Sequence, residues 1–120
     1  MKFVIHHHVT VPEHYDLMLE ADETLHTWQV TPENLEDLLC GRRIKALKIQ
    51  DHRKKYLEYE GPVSCDRGHV SLYDNGEYRL MKKKNNQTEY FFSGEKLTGR
   101  VIFYHEKDTF CLQYLGADGI

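Results

Sequence analysis

Between His14 and Ala21 the chain alternates without a break. His14, Asp16, Met18 and Glu20 fall on one side of an extended segment, and Tyr15, Leu17, Leu19 and Ala21 on the other. A strand reading gives one apolar face for a core and one face carrying an imidazole and a carboxylate two residues apart. Such a strand needs neighbours, because an isolated strand pair buries too little apolar surface to stand in water.

The neighbours are legible. Lys2–His8 is rich in β-branched and aromatic residues and reads as a first strand. Leu25–Val30, Ile44–Gln50, Val70–Tyr73, Glu77–Lys82, Thr88–Ser93, Lys96–His105 and Thr109–Leu115 supply the rest. Asp74-Asn75-Gly76, between two of these runs, predicts a tight hairpin. Asp51–Tyr56 is expected to be a loop, and Tyr59-Glu60-Gly61-Pro62 to turn the chain. One stretch departs from the strand pattern. Thr31 can cap a helix, Pro32 suits its first position, Leu35, Leu38 and Leu39 form a stripe at helical spacing, and Gly41 ends it. Short strands with one helix and no alternation of strand and helix predict an all-β barrel or sandwich, its one helix covering an end. Trp28 is expected in the core or at its rim.

A chain of 120 residues with 40% hydrophobic and 29% charged residues fits one domain, 1–120. No apolar run has the length of a membrane span and no secretory signal is visible, so a cytoplasmic protein is expected. Cys40, Cys65 and Cys111 are an odd number without a Cys-x-x-Cys pair, which predicts buried, reduced thiols. Net charge is −3, which argues against a general nucleic-acid coat, yet the charge is unevenly spread. Residues 1–40 hold one base, Lys2, whereas residues 42–55 hold seven bases against Asp51. Arg79, Lys82, Lys83 and Lys84 form a second basic cluster. Each cluster is either a solvated face or a surface that attracts a phosphate backbone.

His8 lies six residues before His14, and the intervening Val9–Glu13 contains Pro12 and can turn the chain back. That would carry His8 towards His14 and Asp16. Two imidazoles and a carboxylate make a three-ligand metal site with an open side. The same residues also suit an exposed polar face, and from the residues alone both readings stand.

The pattern His8-x5-His14-Tyr15-Asp16-x-x-Leu19-Glu20 resembles the signature of the 3′-phosphoesterase domain of bacterial DNA ligase D. The likeness continues through Leu25-x-x-Trp28 and recurs at Asp51-His52-x3-Tyr56-x-x-Tyr59-Glu60-Gly61. It thins over residues 62–116. The resemblance implies a small closed or partly closed β-barrel of about eight strands. It implies removal of a 3′-terminal ribonucleotide or 3′-phosphate from DNA ends, leaving a 3′-hydroxyl, with a divalent metal, manganese first and zinc or cobalt as alternatives. The implied metal ligands are His8, His14 and Asp16, and the implied catalytic pair at the phosphate is His52 and Tyr56. The implied partners are DNA 3′ ends in a primer–template or nicked duplex, and a separate DNA ligase or polymerase.

Three features depart from the family. Met18 stands where an arginine commonly contacts phosphate, and Val9 where an aspartate is usual. The sequence also starts a few residues before its first strand, where characterised members carry a further segment; a stand-alone, shortened relative is expected. Arg53, next to His52, is the expected replacement for the missing guanidinium, with Lys54 and Arg67 the other candidates. Two alternatives differ in class. One is a metal- and DNA-end-binding module with weak turnover. The other is a non-haem iron oxygenase using His14-x-Asp16 with a distal His69 and Arg79, which leaves His8 and the Asp51–Gly61 pattern without a role.

Overall fold

The computed structural model describes residues 1–116. Nine strands, one α-helix and one 3₁₀ turn follow in the order β1 (Lys2–Val9), β2 (His14–Ala21), β3 (Thr24–Val30), α1 (Pro32–Leu39), β4 (Ile44–Arg53), the 3₁₀ turn Lys54–Leu57, β5 (Gly61–Pro62), β6 (His69–Lys84), β7 (Gln87–Ser93), β8 (Thr98–Glu106) and β9 (Thr109–Gly116). Every strand pairing is antiparallel. The order β1-β2-β3-β4-β9-β8-β7-β6 closes through β6–β1, which gives an eight-stranded barrel. The two-residue β5 lies outside the ring and pairs only with β6. Closure leaves no exposed pair of barrel edges.

Alternation decides what fills the barrel. Phe3 and Ile5 of β1, Leu17 and Leu19 of β2, and Trp28 and Val30 of β3 all enter one core with Phe92, Val101, Phe103 and Leu112. Trp28 is therefore a core residue, set edge-on to Phe103 at 5.0 Å. The helix starts as expected: Thr31 Oγ1 accepts a hydrogen bond from Asn34 N–H at 3.1 Å, and Pro32 begins the first turn. Its Leu35 and Leu38 are buried in the same core. The alternate residues Val4, Met18 and Leu25 face the other way and form a second, smaller cluster, covered by Tyr56, Leu57 and Leu72. The wall made by β1, β2 and β3 thus has a second buried layer on its outer side, under the 3₁₀ turn.

Three expectations need correction. Asp74-Asn75-Gly76 is not a hairpin but the middle of the sixteen-residue β6. The first part of β6 pairs with β1 and the last part with β7, and Glu77 is shared by Lys2 and Ser93. Asp74 is buried, and its carboxylate accepts hydrogen bonds from the backbone N–H groups of Asn75, Glu95, Lys96 and Leu97 at 2.8–3.2 Å. Gly76 lies so close to β7 that a Cβ there would stand 2.1 Å from the Ser93 carbonyl oxygen. The turn residues serve a close approach between strands, and the β6–β7 reversal falls instead at Asn85–Asn86. Asp51–Arg53 is strand rather than loop, because Leu25 pairs with His52 and Thr24 with Arg53, beyond a register shift where His26 alone faces Gln50 and Asp51. The cysteines are unpaired, but Cys40 and Cys65 are exposed rather than buried, since both fall in turns. Among the described residues, no helix is long and apolar enough to cross a membrane.

Candidate metal centre and phosphate pocket

His8 and His14 are directly opposed in the β1–β2 register, because Val9–Glu13 turns the chain back as expected. Asp16 is two residues further along β2, on the same face, opposite His6. His8 Nδ1 lies 3.1 Å from His14 Nε2, and Asp16 Oδ2 lies 3.5 Å from His14 Nε2 and 4.0 Å from His8 Nδ1. This is the one group of three such donors found close together among the described residues. His69 is exposed and sits opposite Val9 on β6, outside the group.

The outer nitrogens decide the tautomers. His8 Nε2–H donates to the Arg67 carbonyl at 2.6 Å, and His14 Nδ1–H donates to the Pro12 carbonyl at 3.1 Å. A carbonyl only accepts, so each imidazole keeps its lone pair on the inner nitrogen. Two lone pairs and a carboxylate oxygen therefore converge. Hydrogen bonds of this kind orient imidazoles towards a cation. Donors about 2.1 Å from a metal stand roughly 3–3.5 Å from one another, close to the separations here. The Asp16 carboxylate also holds His14 above the ordinary histidine value of 6.5. The site already favours a positive charge. Asp16 is 3% exposed, and its Oδ1 has no hydrogen-bonding partner among the described residues.

The Arg67 carbonyl reaches His8 through an unusual loop. Cys65 and Asp66 are left-handed, and Gly68 has φ +78°. A Cβ on Gly68 would stand 1.9 Å from the Val9 carbonyl oxygen, so the loop closes against β1 only with glycine there.

A cavity of about 230 Å³ opens beside the three donors, lined by His6, His8, Asp16, Met18, Gln50, His52, Arg53, Tyr56 and Arg67 among others. His52 enters from β4. Its Nδ1–H is held by the Gln50 carbonyl at 3.1 Å and by Thr27 Oγ1 at 3.2 Å, and Thr27 donates in turn to the Leu25 carbonyl. That leaves His52 Nε2 for the cavity. Tyr56, on the 3₁₀ turn, packs edge-on to His52 at 5.9 Å and to His6 at 6.2 Å. Arg53 and Arg67 both line the cavity, whereas Lys54 is tied to Glu20 at 3.3 Å. Met18 lines it too, but is 1% exposed and packed with Val4 and Leu25.

His6 is a pocket residue that the sequence reading passed over. It is 1% exposed, and its Nε2 makes no hydrogen bond of good geometry among the described residues. Burial pushes its pKa below 6.5, against the pull of the neighbouring Asp16. The signal was present: in a strand, His6 must share the face of His8.

Converging lone pairs beside a cavity that a histidine and two arginines also line suit an anionic ligand better than an apolar one. The chain belongs to the DNA Ligase D 3′-phosphoesterase domain family, whose model matches residues 5–105. It is 33% identical over 103 residues to the multifunctional non-homologous end joining DNA repair protein LigD of Mycobacterium tuberculosis, covering 83% of this chain and 12% of that protein. It is 34% identical over 120 residues to the LigD protein of Mycolicibacterium smegmatis, covering 88% of this chain and 16% of that protein. With the LigD protein of Pseudomonas aeruginosa it shares 29% identity over 108 residues, or 83% of this chain and 13% of that protein. The chain thus spans less than a fifth of the length of these relatives.

Proposed function

We propose that the protein is a divalent-metal-dependent phosphoesterase that acts on DNA 3′ ends, removing a terminal ribonucleotide or 3′-phosphate and leaving a 3′-hydroxyl. The observation that carries this reading is the convergence of His8 Nδ1, His14 Nε2 and Asp16 Oδ2 beside a cavity whose far side presents His52, Arg53 and Tyr56. Manganese is the proposed cation, with zinc or cobalt as alternatives. When bound by the three donors it supplies charge against the phosphate oxygens and acidifies water.

The rest is done by the chain. Arg53 and Arg67 attract the ester and offer charge-assisted hydrogen bonds to its oxygens. His52, its Nδ1–H held by Gln50 and Thr27, turns the Nε2 lone pair to the cavity; there it takes up a proton, and as the imidazolium it donates to a phosphate oxygen or passes that proton to the leaving oxygen. Tyr56 closes the cavity over His52 and His6 and holds their ring orientations. The Arg67 and Pro12 carbonyls keep His8 and His14 in the tautomers that leave inner lone pairs.

A second reading, a metal- and DNA-end-binding module of low turnover, is favoured by one observation. At position 18 the pocket wall is a buried thioether and not a guanidinium. Incubation with a duplex bearing a recessed 3′-phosphate or 3′-ribonucleotide, with and without manganese, separates the two. Release with manganese and its loss in His14→Ala supports the enzyme. Tight duplex binding without release supports the module.

A further inference from the structure

Two polar atoms in this pocket are left without partners, and they are neighbours. His6 and Asp16 are directly paired across β1 and β2, and both side chains point to the outer face of the barrel wall. Both residues are nearly inaccessible, at 1% and 3% exposure. Among the described residues, His6 Nε2 and Asp16 Oδ1 make no hydrogen bond of good geometry, although the Tyr56 backbone lies close enough to act on the His6 ring. Leaving a buried polar atom unsatisfied is costly, so two such atoms on directly paired residues of one pocket call for a common partner. The other oxygen of the same carboxylate, Oδ2, faces His8 and His14.

Resting on the metal reading above, we infer that His6 is a positioning residue of the cation site, linked through one ordered water from its Nε2 to Asp16 Oδ1. The chemistry fits a water. Asp16 Oδ1 only accepts, so the bridging group must donate to it. A water does so and uses a second site for the imidazole nitrogen, which meets the two to four polar partners that a buried water needs. A carboxylate tethered at Oδ1 cannot swing Oδ2 away from the two imidazoles, so the donor set stays assembled before the cation arrives. Groups that orient a ligand from behind typically change metal affinity by about 10- to 100-fold when removed. His6 also packs against the Tyr56 ring, so the same residue joins the cation side of the pocket to the side that faces the ester.

The test uses the full chain and Mn²⁺ or Co²⁺ alone, by calorimetry and by the visible absorption of Co²⁺. His6→Phe keeps a planar ring against Tyr56 but removes the nitrogen, and His6→Gln restores a polar group at similar reach. Mn²⁺ affinity should fall by about 10-fold or more in His6→Phe and return most of the way in His6→Gln. The Co²⁺ spectrum should shift in His6→Phe. The metal-free melting temperature should hold in both variants. Affinity and spectrum unchanged in His6→Phe overturn the inference, and so does a loss that follows a lowered melting temperature and is not rescued in His6→Gln. His14→Ala is the separate control. If the wild type binds neither ion, the metal reading itself fails and this inference with it. If the wild type binds, His14→Ala does not, and His6→Phe matches the wild type, only the inference fails.

Discussion

His8 and His14 face each other across the β1–β2 pair with their inner nitrogens 3.1 Å apart, and each is turned inward by a backbone carbonyl bonded to its outer nitrogen. Neither inner nitrogen carries a proton in the neutral state. A proton or a cation between them relieves the repulsion of the two facing lone pairs, and the buried Asp16 carboxylate favours either.

That relationship sets a pH dependence. Asp16 raises the His14 pKa above 6.5, so protons compete for the site from above that value. Cation affinity should therefore weaken as pH falls, and the weakening should begin above pH 6.5, earlier than for a histidine without a carboxylate neighbour. Calorimetric titration with Mn²⁺ from pH 8 down to about 5.5, spanning the histidine range, checks this. A flat affinity across the range would contradict it.

The loop that carries the Arg67 carbonyl should be intolerant of a side chain at Gly68. Gly68→Ala places a Cβ in the Val9 backbone and in a left-handed conformation. Cation affinity should drop by about 10-fold or more through the lost orientation of His8, with the barrel still folded by circular dichroism.

Arg53 lines the cavity and adjoins His52 in the sequence. Arg53→Ala should weaken binding of a 3′-phosphorylated duplex by roughly one to two orders of magnitude, the worth of a charge-assisted contact, while Mn²⁺ affinity stays near wild type. Met18→Arg is more informative than a simple gain of charge. Met18 is packed in an apolar layer, so the variant should melt lower than wild type, and added phosphate should raise its melting temperature more than it raises that of wild type. Equal phosphate responses would show that this wall does not meet phosphate.

Tyr78 is a probe of the barrel away from the pocket. Its hydroxyl donates to the Glu20 carbonyl at 2.6 Å, and burial pushes its pKa up to about 12. The folded state therefore holds the proton that the unfolded chain gives up near 10. Tyr78 contributes this stability fully below pH 10 and loses it as pH rises towards 12. Chemical denaturation should show stability falling over that interval, and the fall should be shallower in Tyr78→Phe.

Much of this was legible in the sequence because strand periodicity is local. The face shared by His14, Asp16 and Met18, the opposition of His8 to His14 and the Thr31–Pro32 helix start all depend on residues a few positions apart. The family patterns at His8–Glu20 and Asp51–Gly61 led to the same barrel. The failures are long-range. Asp74-Asn75-Gly76 has the composition of a turn, but Asp74 is drawn inward by N–H groups about twenty residues away in the chain, at Glu95, Lys96 and Leu97. His52 was placed in a loop because its strand partner, Leu25, is reached only past a bulge. His6 owes its burial and its contact with Tyr56 to the 3₁₀ turn, about fifty residues further along the chain.

The most direct test of the central claim is release of inorganic phosphate from a duplex with a recessed 3′-phosphate, measured with Mn²⁺ and with chelator, for wild type, His14→Ala and His52→Ala. The account predicts release by wild type that needs Mn²⁺, and loss of release in both variants, with Mn²⁺ binding lost in His14→Ala and kept in His52→Ala. Release that survives chelation, or that is equal in wild type and His14→Ala, would contradict it.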